Sequence, residues 1–235
     1  MRKDIGVYTH CQVFLNYPYD AAFAPLADAM NFAVIAGGML PLCANDTSVP
    51  DRTRLDGIVS AIRNSHYSAH DFSRYTGEGE GNLARMNMPL EMGMALFHAL
   101  NTQRESIRCA FFVPTPHDYQ RFAGDLAGLD PKCHYNDPIK LLNAVYEWLR
   151  AVVAPAELFN SIPIGDVQSG FSEFTTRLAR VAGSGTNGNP SHDEGRELMY
   201  TICSERGWWD WRNTKAGKVE FPVLPLTWKP AESGV

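Results

Sequence analysis

Long apolar runs are missing from this 235-residue chain. Nowhere does it approach the ~20 successive apolar residues that a membrane-spanning helix needs. Basic clusters are equally absent: 21 Lys and Arg stand against 26 Asp and Glu, a net charge of −5. Such a balance offers no field to recruit nucleic acid or an anionic membrane. Cysteine is sparse, and its five positions (Cys11, Cys43, Cys109, Cys133, Cys203) are odd in number, widely spread and without a C-x-x-C pair. That pattern fits reduced, mostly buried thiols of a cytosolic protein, not a disulfide framework. Met1-Arg2-Lys3-Asp4 leads into a mixed segment, not an apolar signal core. The expectation is a soluble, cytoplasmic protein.

Several motifs are missing as well. There is no G-x-S-x-G elbow, Walker loop, G-x-G-x-x-G fingerprint or kinase set, which removes the commonest hydrolase, NTPase and dehydrogenase readings. No metal-ligand spacing such as H-E-x-x-H occurs, so no metal is expected. Gly77-Glu78-Gly79-Glu80-Gly81 lacks the Lys-Ser/Thr ending of a phosphate loop and carries two acids, so it reads as a mobile flap.

What is present is an ordinary globular composition, 45% apolar and 20% charged, in an order that alternates strands with helices. Gln12–Leu15 reads as a strand, Ala21–Ala36 as a helix stopped by Gly37-Gly38, and Met39–Ala44 as a second strand. Arg52–Arg63 is a helix, His66–Ala69 a weak strand, Glu91–Leu100 a helix, and Cys109–Val113 the clearest buried strand. Pro114–Pro138 is rich in turn formers, Ile139–Val153 is amphipathic, and Pro163–Gly170 reads as a linker between helices. Phe171–Val181 and Glu194–Glu205 are the last helices, before a tail that carries Trp208, Trp209, Trp211 and Trp228. Alternation of this kind predicts a parallel α/β sheet with helices on both faces and ligands at the carboxyl ends of its strands.

Two carboxylates stand out. Glu91 lies in an oily helical stretch, flanked by Leu90, Met92, Met94 and Leu96, and a capping box would need Ser, Thr, Asp or Asn where Met88 stands. Apolar surroundings raise a carboxyl's pKa and suit it to acid or nucleophilic work; the plainer role is a first-turn acid favoured by the helix dipole. Asp71 ends the weak strand, either as a turn residue or as an acceptor for a ribose hydroxyl or a base. Ser73 and Arg74 add a hydroxyl and a cation where a phosphate could be held, although Arg74 is equally a surface charge or a partner for Asp71. Asp118, Asp125, His134 and Asp137 gather carboxylates and an imidazole in the loop after the Cys109–Val113 strand. The tryptophans are a packing or oligomer contact.

Asn87-Met88-Pro89-Leu90-Glu91-Met92-Gly93-Met94-Ala95 resembles the N-V-x-x-E-x-G-x-A signature of nucleoside 2-deoxyribosyltransferase-like and TIR-like nucleotide-binding proteins. Val13–Asp20, Ser65–Arg74 and Tyr119–Phe122 also look like small prokaryotic TIR-like proteins, and the likeness covers roughly residues 10–140. The resemblance implies a flavodoxin-like domain over 1–155, followed by a C-terminal helical extension over 156–235 that is available to a protein partner. It implies Glu91 and Asp71 as catalytic residues, and Asn16, Tyr17, Ser73, Arg74, Asn87 and His134 as substrate-binding residues. The implied reaction is cleavage or transfer at the N-glycosidic bond of NAD or another nucleotide. No separate cofactor is implied. A homo-oligomer serving prokaryotic defence or signalling is, and so, as an alternative, is a nucleotide-sensing or assembly module without turnover.

Overall fold

A computed structural model describes residues 12–47, 53–75, 86–101, 108–121, 123–153, 156, 159–183 and 190–208. The Gly77–Gly81 stretch, residues 184–189, Trp209, Trp211 and Trp228 lie outside the described residues. The strands are β1 (Gln12–Asn16), β2 (Leu40–Cys43), β3 (Tyr67–Asp71), β4 (Arg108–Val113) and β5 (Lys132–Cys133). The helices are α1 (Ala24–Ala36), α2 (Arg54–Asn64), α3 (Asn87–Asn101), α4 (Pro138–Val152), α5 (Ile164–Gly183) and α6 (His192–Glu205). All four strand pairings are parallel, and the order is β2-β1-β3-β4-β5, the flavodoxin-like arrangement.

Local chemistry sets the helix limits. Thr53 and Asp56 close a reciprocal capping box at the start of α2, and Ser191 and Glu194 do the same for α6. Asp137 caps α4 ahead of Pro138, whose missing N–H is no loss at that position. At the end of α1, Gly38 takes φ +77° and Met39 N–H reaches back to Val34 O at 3.1 Å, the closure a left-handed glycine permits.

Strand alternation divides the core. Val13, Leu15, Tyr67, Ala69 and Phe112 face α1 and α4, while Phe14 faces α2 and Ala95 of α3. Every residue of α1 from Ala29 to Ala36 is buried, because α5 and α6 cover the side that the sheet and α4 leave open. Phe32 of α1 meets Phe171 and Phe174 of α5 with ring centroids 5.6 and 6.0 Å apart. The C-terminal helices thus share the main core of the α/β unit.

One expectation is corrected. Pro163–Gly170 is no linker: α5 begins at Ile164, the carbonyl of Pro163 accepts the N–H groups of Asp166 and Val167, and Gly170 lies mid-helix. A Cβ on Gly170 would fall 2.7 Å from the Trp208 ring and 3.1 Å from Phe32, so that glycine marks close packing and not a break. Pro114–Pro138 holds two 3-10 turns and the two-residue strand β5. No helix among the described residues is long and apolar enough to cross a membrane.

Candidate functional site

In this strand order the crossovers from β1 and β3 leave to opposite sides, so the carboxyl ends of β1 and β3 flank the natural crevice. Asn16 and His70 are direct register partners there. Asn16 Nδ2 donates to Met88 O, in the first turn of α3, at 2.9 Å, and its other hydrogen points to His70 Nδ1 at 2.9 Å. The carbonyl of Met88 fixes the orientation of the amide, since a flipped Asn16 would set its Oδ1 against that carbonyl oxygen. His70 Nδ1 is therefore an acceptor, and the proton sits on Nε2. That Nε2–H is buried without a partner among the described residues, on a side chain with 0% exposure. Burial pushes the His70 pKa down to about 3, which keeps the ring neutral.

An unspent buried donor costs ~1–3 kcal/mol and calls for an acceptor. His70 is the site residue that motif reading overlooked; its signal was its position one residue before the strand-ending Asp71. We expect ¹⁵N NMR to show His70 as the Nε2–H tautomer with no titration between about pH 5 and 8. Asn16→Ala should cost ~1–3 kcal/mol in urea unfolding by stranding the Met88 carbonyl. A His70 that titrates in that range would contradict the assignment.

Asp71 belongs to a second group, on the other face of β3 by strand alternation. Its Oδ1 accepts the Ser73 N–H at 2.7 Å, and its Oδ2 lies 3.0 Å from His134 Nε2 without completing an aligned hydrogen bond. Ser73 Oγ is 3.3 Å from the same Nε2. These three side chains have the composition of a hydrolase triad but not its wiring. In a triad the acid holds one imidazole nitrogen and the serine the other. Here both face Nε2, while Nδ1 accepts the Asn136 N–H at 3.1 Å across a turn in which Tyr135 and Asn136 both have positive φ. With Nδ1 occupied, Nε2 carries the proton and cannot act as a base toward Ser73. The group is a buried polar lock between the ends of β3 and β5. His134 thus leaves the loop carboxylates, of which Asp118 accepts from Thr115 and Tyr75, and Asp137 caps α4.

Glu91 stands on the Asn16–His70 side. Because α3 starts at Asn87, Glu91 is its fifth residue and not a first-turn acid, which corrects the dipole explanation. It is 7% exposed, and burial pushes its carboxyl up to about 7 against the opposing pull of Arg54. No hydrogen bond joins it to Asp71. Asn87 is exposed at the helix start.

Two expected ligand groups have other partners. Arg74 forms a two-pronged pair with Asp20, Nη2 to Oδ1 at 2.8 Å and Nε to Oδ2 at 3.0 Å, so its charge answers Asp20, not Asp71. The Tyr17 hydroxyl lies 3.0 Å from both Asn31 Nδ2 and His192 Nε2, on the α1 and α6 side. Nearby, Cys43, Asp46 and His192 bring potential metal-ligating atoms within 4.8 Å of one another. Both Asp46 oxygens, however, already receive Arg196 Nη1, at 2.9 and 2.8 Å. A guanidinium thus occupies the place a cation would take. Compared with protein-family models, curated proteins and solved structures, the chain matches none.

Proposed function

We propose that the crevice beside Asn16 and His70 takes a nucleotide-type small molecule and that Glu91 promotes cleavage or transfer at its N-glycosidic bond. The observation that carries this reading is a buried carboxyl without a hydrogen-bonded partner among the described residues, titrating near neutrality on the side of the switch point where Asn16 and His70 lie. In NAD, breaking the bond between C1′ and the pyridinium nitrogen sends the electron pair to that nitrogen and frees neutral nicotinamide. The leaving group needs no proton. C1′ becomes an oxocarbenium centre that water, losing one proton, or another acceptor then captures. An ionised Glu91 stabilises that positive charge. The His70 Nε2–H supplies a donor for a ligand oxygen, and the Asp71–Ser73–His134 lock holds the edge of β3 in shape.

A second reading, ligand sensing without turnover, draws on the way Arg74 is already neutralised by Asp20, which leaves phosphate less to bind. One experiment separates the two. The protein and its Glu91→Gln variant are incubated with NAD, related nucleotides and deoxynucleosides, and free base and melting temperature are measured. Catalysis predicts base release that rises as pH passes about 7, where Glu91 ionises, and a fall of ~100-fold or more in the variant. A ligand that raises the melting temperature without being consumed leaves the sensing reading. No base release from any compound, or equal release by the variant, overturns the catalytic one.

A further inference from the structure

The outward face of α3 carries an apolar stripe that the site at its first turns does not use. Met86, Leu90, Gly93, Phe97 and Leu100 recur at intervals of four, three, four and three residues. Met86, Leu90, Phe97 and Leu100 are 68%, 57%, 68% and 78% exposed. A 4-3-4-3 spacing keeps one seam pointing outward along the helix and is the pattern of helices that pack on another helix. Gly93, at the middle of the stripe, has nothing within 4 Å of where a Cβ would be, so a second backbone can come close there. Exposed helix faces ordinarily carry charge. In α3 the only Asp, Glu, Lys or Arg is Glu91, and it is buried.

Beside this ridge runs a groove of about 300 Å³ between α2 and α3, lined by Val59, Ile62, Met94 and His98 among others. Ridge and groove on one face of one molecule form a self-complementary surface, which a two-fold contact between identical chains requires. The ridge itself carries no charge, and Arg63 at the groove is the one Asp, Glu, Lys or Arg among the residues that line it, which suits a second copy because few like charges would meet across the axis. The four large stripe residues expose on the order of 400–500 Å², more than half of the ~800 Å² per partner in a standard interface. The α2 side of the groove enlarges that area.

We infer that α3 is a dimerisation helix, with two copies of this chain pairing through the Met86–Leu100 stripe and the adjoining α2–α3 groove. The inference is independent of the proposed chemistry, since the stripe and Glu91 occupy different faces of α3. The full chain is examined by analytical ultracentrifugation over a range up to about 100 µM, beside a Leu90→Glu/Phe97→Glu variant and a Leu100→Lys variant. Both variants change exposed side chains, so circular dichroism should be unchanged. The expected result is a dimer whose dissociation constant rises ~100-fold or more in the double variant, where four carboxylates converge. A monomer at every concentration overturns the inference, as does a dimer that both variants leave intact. A monomer whose melting temperature drops sharply in the variants also overturns it, by assigning the stripe to cover from elsewhere in the chain.

Discussion

Arg196→Met should destabilise the protein by about 3–5 kcal/mol, the usual consequence of leaving one member of a buried ion pair alone. The Arg196 and Asp46 side chains are 10% and 5% exposed. Arg196 Nη1 donates to both Asp46 oxygens and its Nε donates to Asn31 Oδ1 at 3.0 Å, which links α6 to the turn after β2 and to α1. Asp46 Oδ2 also accepts the Cys43 N–H at 2.7 Å. Methionine fills much of the arginine stem but leaves the Asp46 carboxylate with one backbone donor and no counter-charge. Pairing the change with Asp46→Leu removes the stranded charge and should recover most of the loss, because a pair replaced by apolar groups is often neutral in stability. Urea midpoints for the two singles and the double form the cycle. A loss below ~1 kcal/mol for Arg196→Met would mean that water reaches Asp46 and that the pair behaves as a surface contact. The same pair ties the C-terminal helix α6 directly to the α/β unit.

That long-range tie marks the boundary of what the sequence makes legible. Gln12–Leu15 and Cys109–Val113 are apolar runs bounded by turn residues, and both fold as strands within a residue or two of expectation. The parallel sheet follows from their alternation with helices. Lys132–Cys133 forms a strand too short to leave any periodic trace. Pro163 and the glycines after it carry the signature of a loop, but proline is tolerated at a helix start and Gly170 answers to Phe32 and Trp208, far away in the chain. Burial of Glu91 was legible, since its flanking apolar residues place it on a packed helix. The partners of Arg74, Tyr17 and His134 were not, because contacts between residues 54, 175 or 63 positions apart leave no local pattern. His70 was hidden for a related reason: only the register of β1 against β3 sets it beside Asn16, and only the Met88 carbonyl decides which of its nitrogens bears the proton.

Glu91→Gln should make the protein more stable at pH 8 and leave it unchanged near pH 4.5. The carboxyl titrates at about 7 in the fold against an ordinary 4.5, so between those values the folded chain holds a proton that the unfolded chain has lost. Stability therefore falls as pH rises through that window, by up to ~3 kcal/mol, and this contribution of the protonated carboxyl is gone above the folded pKa. Glutamine occupies the same space without ever ionising, so its curve lacks this descent. Carboxyls held below their ordinary range, such as Asp118 by Thr115 and Tyr75 or Glu173 by Arg206, act in the opposite sense and at lower pH. They are common to both proteins and cancel in the difference. Urea unfolding at about pH 4.5, 6 and 8 measures it, and parallel curves would show that Glu91 reaches water when ionised. On the proposed reading, a positively charged ligand group brought beside Glu91 would favour its carboxylate and relieve the cost of burying it, and binding of a pyridinium-type cation would then release a proton near neutral pH.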